Sequence, residues 1–280
     1  MTRSGSAIRG ALLTLALAAA GCTPAPAQPE ASASAAAAAS GLAASTIVDL
    51  SHAFDVQTIV WPTSAPFRLT SVADGVTEAG YYYAANDFAS SEHGGTHLDA
   101  PVHFAEGRQT ADAIPLERLV GEAFVLDVSE AAARDADYEV SVDDVQRAEK
   151  THGTIPDGAI LLIRTGYSQR WPDAAAYLGT AARGAGAVAQ LHFPGLHPDT
   201  ARWLLANRAI DAVGIDTASI DRGQSTQYES HRALFARNVP AFENLAGLER
   251  LPPRGATVVA LPMKIGGGSG APLRAIAFVP

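Results

Sequence analysis

His93-Gly-Gly-Thr-His-Leu-Asp-Ala-Pro-Val-His103 brings three imidazoles and a carboxylate together within eleven positions, around glycine and proline. Such a group is costly to desolvate unless something neutralises it, and a divalent metal ion does that for nitrogen and oxygen donors together. A helix is a poor carrier. His93 and His97 would share a face, but Asp99 would point away, and Gly94, Gly95 and Pro101 all oppose a helical interior. An extended path puts positions 93, 97, 99 and 103 on one side, yet ten extended residues span roughly 33 Å, too far for one ion. The chain must therefore bend, and Gly94-Gly95 and Pro101 are the residues that allow it. Histidine nitrogen with aspartate oxygen is a donor set that zinc and manganese accept. No H-E-x-x-H is present, and a single cysteine rules out C-x-x-C.

His-Gly-Gly-Thr-His-Leu-Asp-Ala-Pro-Val-His-Phe104 resembles the H-x-G-T-H-x-D-x-P-x-H-F signature of the metal-dependent cyclase-like hydrolases, which include kynurenine formamidases and isatin hydrolases. The resemblance extends over residues 46–280. Ile47-Val-Asp-Leu-Ser-His52 is similar to the family's opening strand and Trp61-Pro62 to the element after it. Gly214 to Asp221, Glu243-Asn-Leu245 and Ala260 to Gly268 are similar to its later blocks. The resemblance implies that His93, His97 and Asp99 bind metal, that His103 is catalytic, and that His231 and Glu243 complete a second site in two-metal members. It implies one or two ions, Mn2+ or Zn2+, and a homo-oligomer, a dimer. The residues themselves say less about the downstream pair. His231 falls in a short helical pattern, and Glu243 follows Asn238-Val-Pro-Ala-Phe, which enters a buried strand. A glutamate between Phe242 and Leu245 needs a partner, and a salt bridge would serve it as well as a metal.

The expected chemistry is C–N hydrolysis of a small aromatic or cyclic amide, with His103 moving a proton between water and the leaving nitrogen. An isatin-hydrolase-like ring opening is the first expectation and a kynurenine formamidase the alternative. A non-enzymatic metal- or solute-binding lipoprotein is the competitor from another class; it would need the ligands but no spare proton acceptor. The resemblance implies that Trp61 packs against a planar substrate, a partly buried core tryptophan being the alternative, and His192 with Phe193 is a second candidate for substrate contact. His52 and His152 read as structural, and His197 before Pro198 as a helix start.

These side chains must be positioned by a sizeable core, which 280 residues at 48% hydrophobic content can build as one domain. Strand patterns run over 46–50, 81–88, 123–128, 159–164, 212–215, 256–261 and 274–279, and helical patterns over 141–152, with Ser141 as cap, and over 198–207. The mixture predicts an α/β domain over residues 46–280, and the family resemblance implies the swivelling β/β/α architecture. Gly267-Gly-Ser-Gly-Ala271 misses the last glycine of a G-x-S-x-G elbow and reads as a flexible turn beside the pocket. Gly184-Ala-Gly-Ala-Val-Ala189 has no strand before it and is not a dinucleotide loop.

At the N-terminus, Arg3 and Arg9 precede the apolar run 11–20, too short to span a bilayer but suited to a signal peptide over residues 1–21. Ala19-Ala-Gly-Cys22 resembles a bacterial lipobox with alanine where leucine is more usual. This predicts an exported protein, periplasmic or membrane-anchored as a lipoprotein that touches the membrane only through Cys22, an ordinary exported protein with a stray cysteine being the alternative. Residues 22–45 are a low-complexity tether of proline, alanine and serine. The net charge of −9, which becomes −11 once Arg3 and Arg9 leave with the leader, gives nucleic acid no basic surface to bind and leaves a small-molecule amide as the expected partner.

Overall fold

Side chains alternate along each central strand, and the alternation builds two separate cores. The computed structural model describes residues 45–280, so the leader, Cys22 and nearly all of the tether lie outside the described residues. The strands are β1 (Thr46–Asp49), β2 (Arg68–Val76), β3 (Tyr82–Ala89), β4 (His97–Asp99), β5 (Val120–Asp127), β6 (Glu139–Val140), β7 (Ile160–Arg164), β8 (Gly195–Leu196), β9 (Ala212–Ile215), β10 (Ala241–Glu243), β11 (Thr257–Pro262) and β12 (Gly270–Val279). The helices are α1 (Ser129–Arg134), α2 (Val142–His152), α3 (Ala174–Leu178), α4 (Ala185–Val188), α5 (Pro198–Asn207) and α6 (Glu229–Phe235).

The main sheet runs β1-β12-β11-β5-β7-β9-β10-β4, and β4 returns to pair with β12. Seven strands therefore close into a barrel, with β1 added along the outside of β12. Closure leaves the barrel strands without an open edge except where β1 covers one. Ala123 and Val125 of β5, Ile160 and Leu162 of β7, and Ala271, Leu273, Ala275 and Ala277 of β12 point into the barrel. Phe124, Leu126, Leu161, Ile163, Val213 and Ile215 point outward, under the helices. Period-two patterning thus fills both faces with apolar side chains, as parallel strands buried on both sides require. The pairs β5–β7 and β7–β9 are parallel, and helices cross over between them.

The predicted α/β character holds, and so do the predicted helices. Ser141 caps α2 with a reciprocal bond from the Ser141 amide to Asp144 (2.7 Å), and Pro198 opens α5 behind His197, whose Nδ1 accepts from the Asp199 amide (3.1 Å). The last strand starts four residues earlier than its pattern, because Gly270–Pro272 pair with β4. Two three-residue strands, β4 and β10, are too short to show a period; tertiary pairing makes them. The strand expected over 81–88 stands outside the barrel, paired only with β2.

Candidate metal centre

In β4 Leu98 enters the barrel core, so His97 and Asp99 share the opposite face. The antiparallel register of β10 sets Glu243 directly across from His97. On the other flank β12 sets Gly270 across from Asp99, where a Cβ would lie 2.6 Å from His93 Cε1 and 2.6 Å from the Leu98 carbonyl. Glycine at 270 therefore makes room for the His93 ring. The expected bends are present: Gly95 has φ +60°, and Pro101 opens a short turn over Pro101–His103. That turn stacks His103 on His93 at a centroid distance of 3.9 Å. His231 comes from α6.

Asp99 stands at the centre. Its Oδ1 lies 2.6 Å from His93 Nδ1 and 3.0 Å from His97 Nε2; its Oδ2 lies 3.3 Å from His231 Nε2 and 3.9 Å from His103 Nε2. Glu243 places Oε1 3.0 Å from His231 Nε2 and Oε2 3.5 Å from His97 Nε2. Two donor sets share the aspartate: His93, Asp99 and His103, and His97, Asp99 and Glu243, each with its ligand atoms within 4.8 Å of one another. His97, Asp99, His231 and Glu243 are all buried, with 3% or less of their surface exposed.

The far nitrogen of each inner imidazole is already committed. His97 Nδ1 donates to the Gly95 carbonyl at 2.9 Å and His231 Nδ1 to Asp221 at 2.6 Å, which turns each Nε2 lone pair toward the carboxylates. His93 is reversed: Nε2 donates to Ser269 Oγ at 3.0 Å, Ser269 Oγ donates to Glu92 at 2.6 Å, and Nδ1 is left facing Asp99. Burial alone would raise the Asp99 pKa, but the charge of His93 and the imidazole nitrogens of His231, His93 and His97 close beside it hold it well below the usual carboxylate range. Glu243 is pushed up by burial and by the charge of Asp99. Burial pulls His97 and His231 down, yet the carboxylates around them win and both rise.

These donors fit a divalent ion. Two buried carboxylates need positive charge close by, and His97 Nε2 is a buried nitrogen with no hydrogen-bond partner. An ion would supply the charge and give that nitrogen a partner. His103 differs from the inner residues. Its side chain is 30% exposed, and burial, opposed by Asp99, lowers its pKa to about 4, so the ring is neutral near pH 7 and can accept a proton.

A cavity of about 310 Å³ opens onto this floor, with Ile59, Val60, Trp61, Phe104 and Tyr228 among its walls. Trp61 is where the sequence expects it, and Phe193 backs it edge-on at 6.4 Å. His192 and Phe193 are corrected as substrate contacts, since neither lines the cavity. Phe193 is wholly buried behind Trp61, and His192 turns away to Asp137 (2.9 Å) and Gln224 (2.9 Å). His52 is structural as expected, stacked on Trp171 at 4.1 Å. Sequence reasoning missed Asp221, Ser269, Glu92 and Asn244. Asn244 sits at φ +53°, and its side chain holds the Gly95 carbonyl at 2.7 Å while its own carbonyl receives Thr96 Oγ1 at 2.7 Å. It thereby ties the Glu243 strand to the metal loop. Only its place beside Glu243 hints at this.

Fold and site together define a metal-dependent hydrolase. Residues 48–222 match the Cyclase family, described as "Putative cyclase", and the chain belongs to that family. An isatin hydrolase of Roseibium aggregatum is 32% identical over 209 residues, covering 72% of this chain and 77% of that protein. A kynurenine formamidase of Salinibacter ruber is 30% identical over 235 residues, covering 82% of this chain and 96% of its own length. Among solved structures, an isatin hydrolase bound to the product analogue thioisatinate superposes with a TM-score of 0.80 at 28% identity, over 90% of this chain and all of that one.

Proposed function

We propose that this protein hydrolyses the C–N bond of a small aromatic or cyclic amide, opening an isatin-like ring. The observation that carries the reading is the Asp99-centred donor set at the floor of an aromatic-walled cavity, with the neutral imidazole of His103 beside it. The likeness to isatin hydrolases in sequence and in structure supports the substrate class. A divalent ion, Mn2+ or Zn2+, held by His93 Nδ1, His97 Nε2 and Asp99, with His231 Nε2 and Glu243 able to hold a second, would supply Lewis acidity and a lowered pKa for water.

The chain's own groups do the rest. His103 Nε2 takes a proton from the attacking water and delivers it to the leaving nitrogen as the C–N bond breaks. Water adds across the amide, so a cyclic substrate yields one product carrying both carboxylate and amine. Trp61 offers a flat face to a planar substrate, and the buried Phe193 behind it keeps the ring in place. A formamidase acting on an N-formyl aryl amine is the second reading, favoured by a Salinibacter relative matched over nearly its whole length. Hydrolysis of isatin and of N-formylkynurenine, assayed after chelation and again after adding Mn2+ or Zn2+, separates them. Metal-restored turnover of isatin supports the first reading, and turnover of the formamide alone supports the second. Neither substrate being hydrolysed would sink both.

We further propose that the enzyme is exported and lipid-anchored at Cys22. The basic start, the apolar run and Gly21-Cys22 support this. Labelled fatty acid should enter the wild type and not Cys22→Ala; equal labelling of the two would contradict the anchor.

A further inference from the structure

The loop of residues 59–64, which carries Trp61, is held from two sides. Toward the metal centre, the Ile59 carbonyl accepts from the Gly95 amide at 2.9 Å, and Val60 bridges to Gly94, where a Cβ would lie 2.6 Å from Val60 Cγ1. Only glycine permits that approach. The second grip comes from the link between α3 and α4. Arg183 Nη1 donates to the Val60 carbonyl at 3.3 Å and to the Trp61 carbonyl at 3.2 Å, and Nη2 donates to the Ser64 carbonyl. Beside it the Gly184 amide donates to the Pro62 carbonyl at 2.9 Å. Two adjacent residues thus hold the carbonyls of 60, 61, 62 and 64. Among the described residues, the polar contacts of the Arg183 guanidinium are all carbonyls of this one loop. A flat fork of N–H donors suits such a cluster, whereas a lysine ammonium would donate from a single point.

Packing leaves the loop room to move. A second cavity of about 200 Å³ runs along it, between Ile59, Val60 and Pro62 on one side and Ala174, Leu178 and Arg183 on the other. Apolar contact is incomplete there, so the hydrogen bonds set where the loop stands. Ile59 and Val60 also line the cavity over the metal floor, together with Trp61, Thr63 and Ser64. The loop is therefore the partition between the two cavities, and its position decides the width of the one above the metal donors.

We propose that Arg183 is a specificity-determining residue that acts through this loop, fixing the Trp61 wall at the width of a flat, compact amide and excluding bulkier ones. The proposal rests on the ring-opening reading above. Arg183 does not line the cavity over the metal floor, so it positions the wall and does not touch substrate. The reacting bond lies over Asp99 and His103, away from the wall that Arg183 holds. Losing Arg183 therefore weakens the binding of substrate and leaves the chemical step nearly as fast.

The test is steady-state hydrolysis of isatin, and of an isatin bearing a ring phenyl group, by the metal-loaded wild type, Arg183→Ala and Arg183→Lys. Hydrogen exchange of residues 59–64 and metal content are measured on the same samples. In Arg183→Ala the KM for isatin should rise about tenfold with kcat within about threefold, and the preference for isatin over the phenyl derivative should fall about tenfold. The loop amides should exchange at least about tenfold faster, while metal content and the exchange of α2 hold. Arg183→Lys should recover part of each effect. Wild-type KM and preference in Arg183→Ala would overturn the proposal. So would a loss carried by kcat or by metal content, because either would place the effect at the centre and not at the wall. Should the wild type hydrolyse neither isatin, the ring-opening reading falls by itself, and loop exchange then decides the clamp: faster in Arg183→Ala if the residue holds the wall, unchanged if it does not.

Discussion

The barrel rim around β4 and the β2–β3 arm are adjacent in sequence and opposite in physics. At the rim, every inner imidazole has its far nitrogen fixed by a carbonyl, a carboxylate or a hydroxyl, and the carboxylates lie 3% exposed between three strands. In the arm, aromatic side chains face water and the strands pair only with each other. Chemistry that requires ligand atoms within a few ångströms must be held by tertiary structure, whereas a hairpin with no ligand atoms to hold can leave apolar side chains in water.

The rim should break hardest at its centre. Asp99→Asn removes the residue that both donor sets share, and hydrolysis should fall at least about a thousandfold, the scale of losing Lewis-acid activation. Steady-state kinetics at saturating metal checks this. His103→Ala comes next: metal should stay bound while turnover drops about a hundredfold or more, the usual worth of a positioned acid–base group. A His103 variant that loses its metal would make the residue a ligand, in line with its membership of the set with His93 and Asp99. Asp221→Asn and Ser269→Ala act through the imidazoles they orient, so each should weaken metal affinity by about 10- to 100-fold with the fold intact, measured by competition with a chelator.

Much of the barrel and half of the site were legible in the sequence. The signature His93 to His103 showed its donors because they are close together and their bends are spelled by glycine and proline. The helices at 141–152 and 198–207 announced themselves through Ser141 and Pro198, whose capping roles are local. Asp221 and Ser269 could not be read in this way, because their partners His231 and His93 lie 10 and 176 residues away, brought in by the turn into α6 and by the pairing of β12 with β4. His192 misled for the converse reason. A histidine among apolar residues looks like a pocket residue until the fold turns it toward Asp137.

A smaller effect separates the rim from its supports. Burial lowers the His52 pKa to about 4, against opposition from Asp49. The folded state therefore resists protonating this ring while the unfolded chain takes a proton near pH 6.5. Its contribution to stability is whole above about pH 6.5 and declines as the pH falls toward 4. In denaturant titrations at saturating metal, His52→Asn should flatten part of that acid-side slope. An unchanged slope would show that the stacked ring does not titrate.

The metal content of the purified protein tests the central claim most directly. Elemental analysis should find about one or two Mn2+ or Zn2+ ions per chain in the wild type, and little or none in His97→Ala, whose remaining donors cannot enclose the ion. A His97→Ala protein that folds and keeps its full complement of metal would contradict the assignment of this centre.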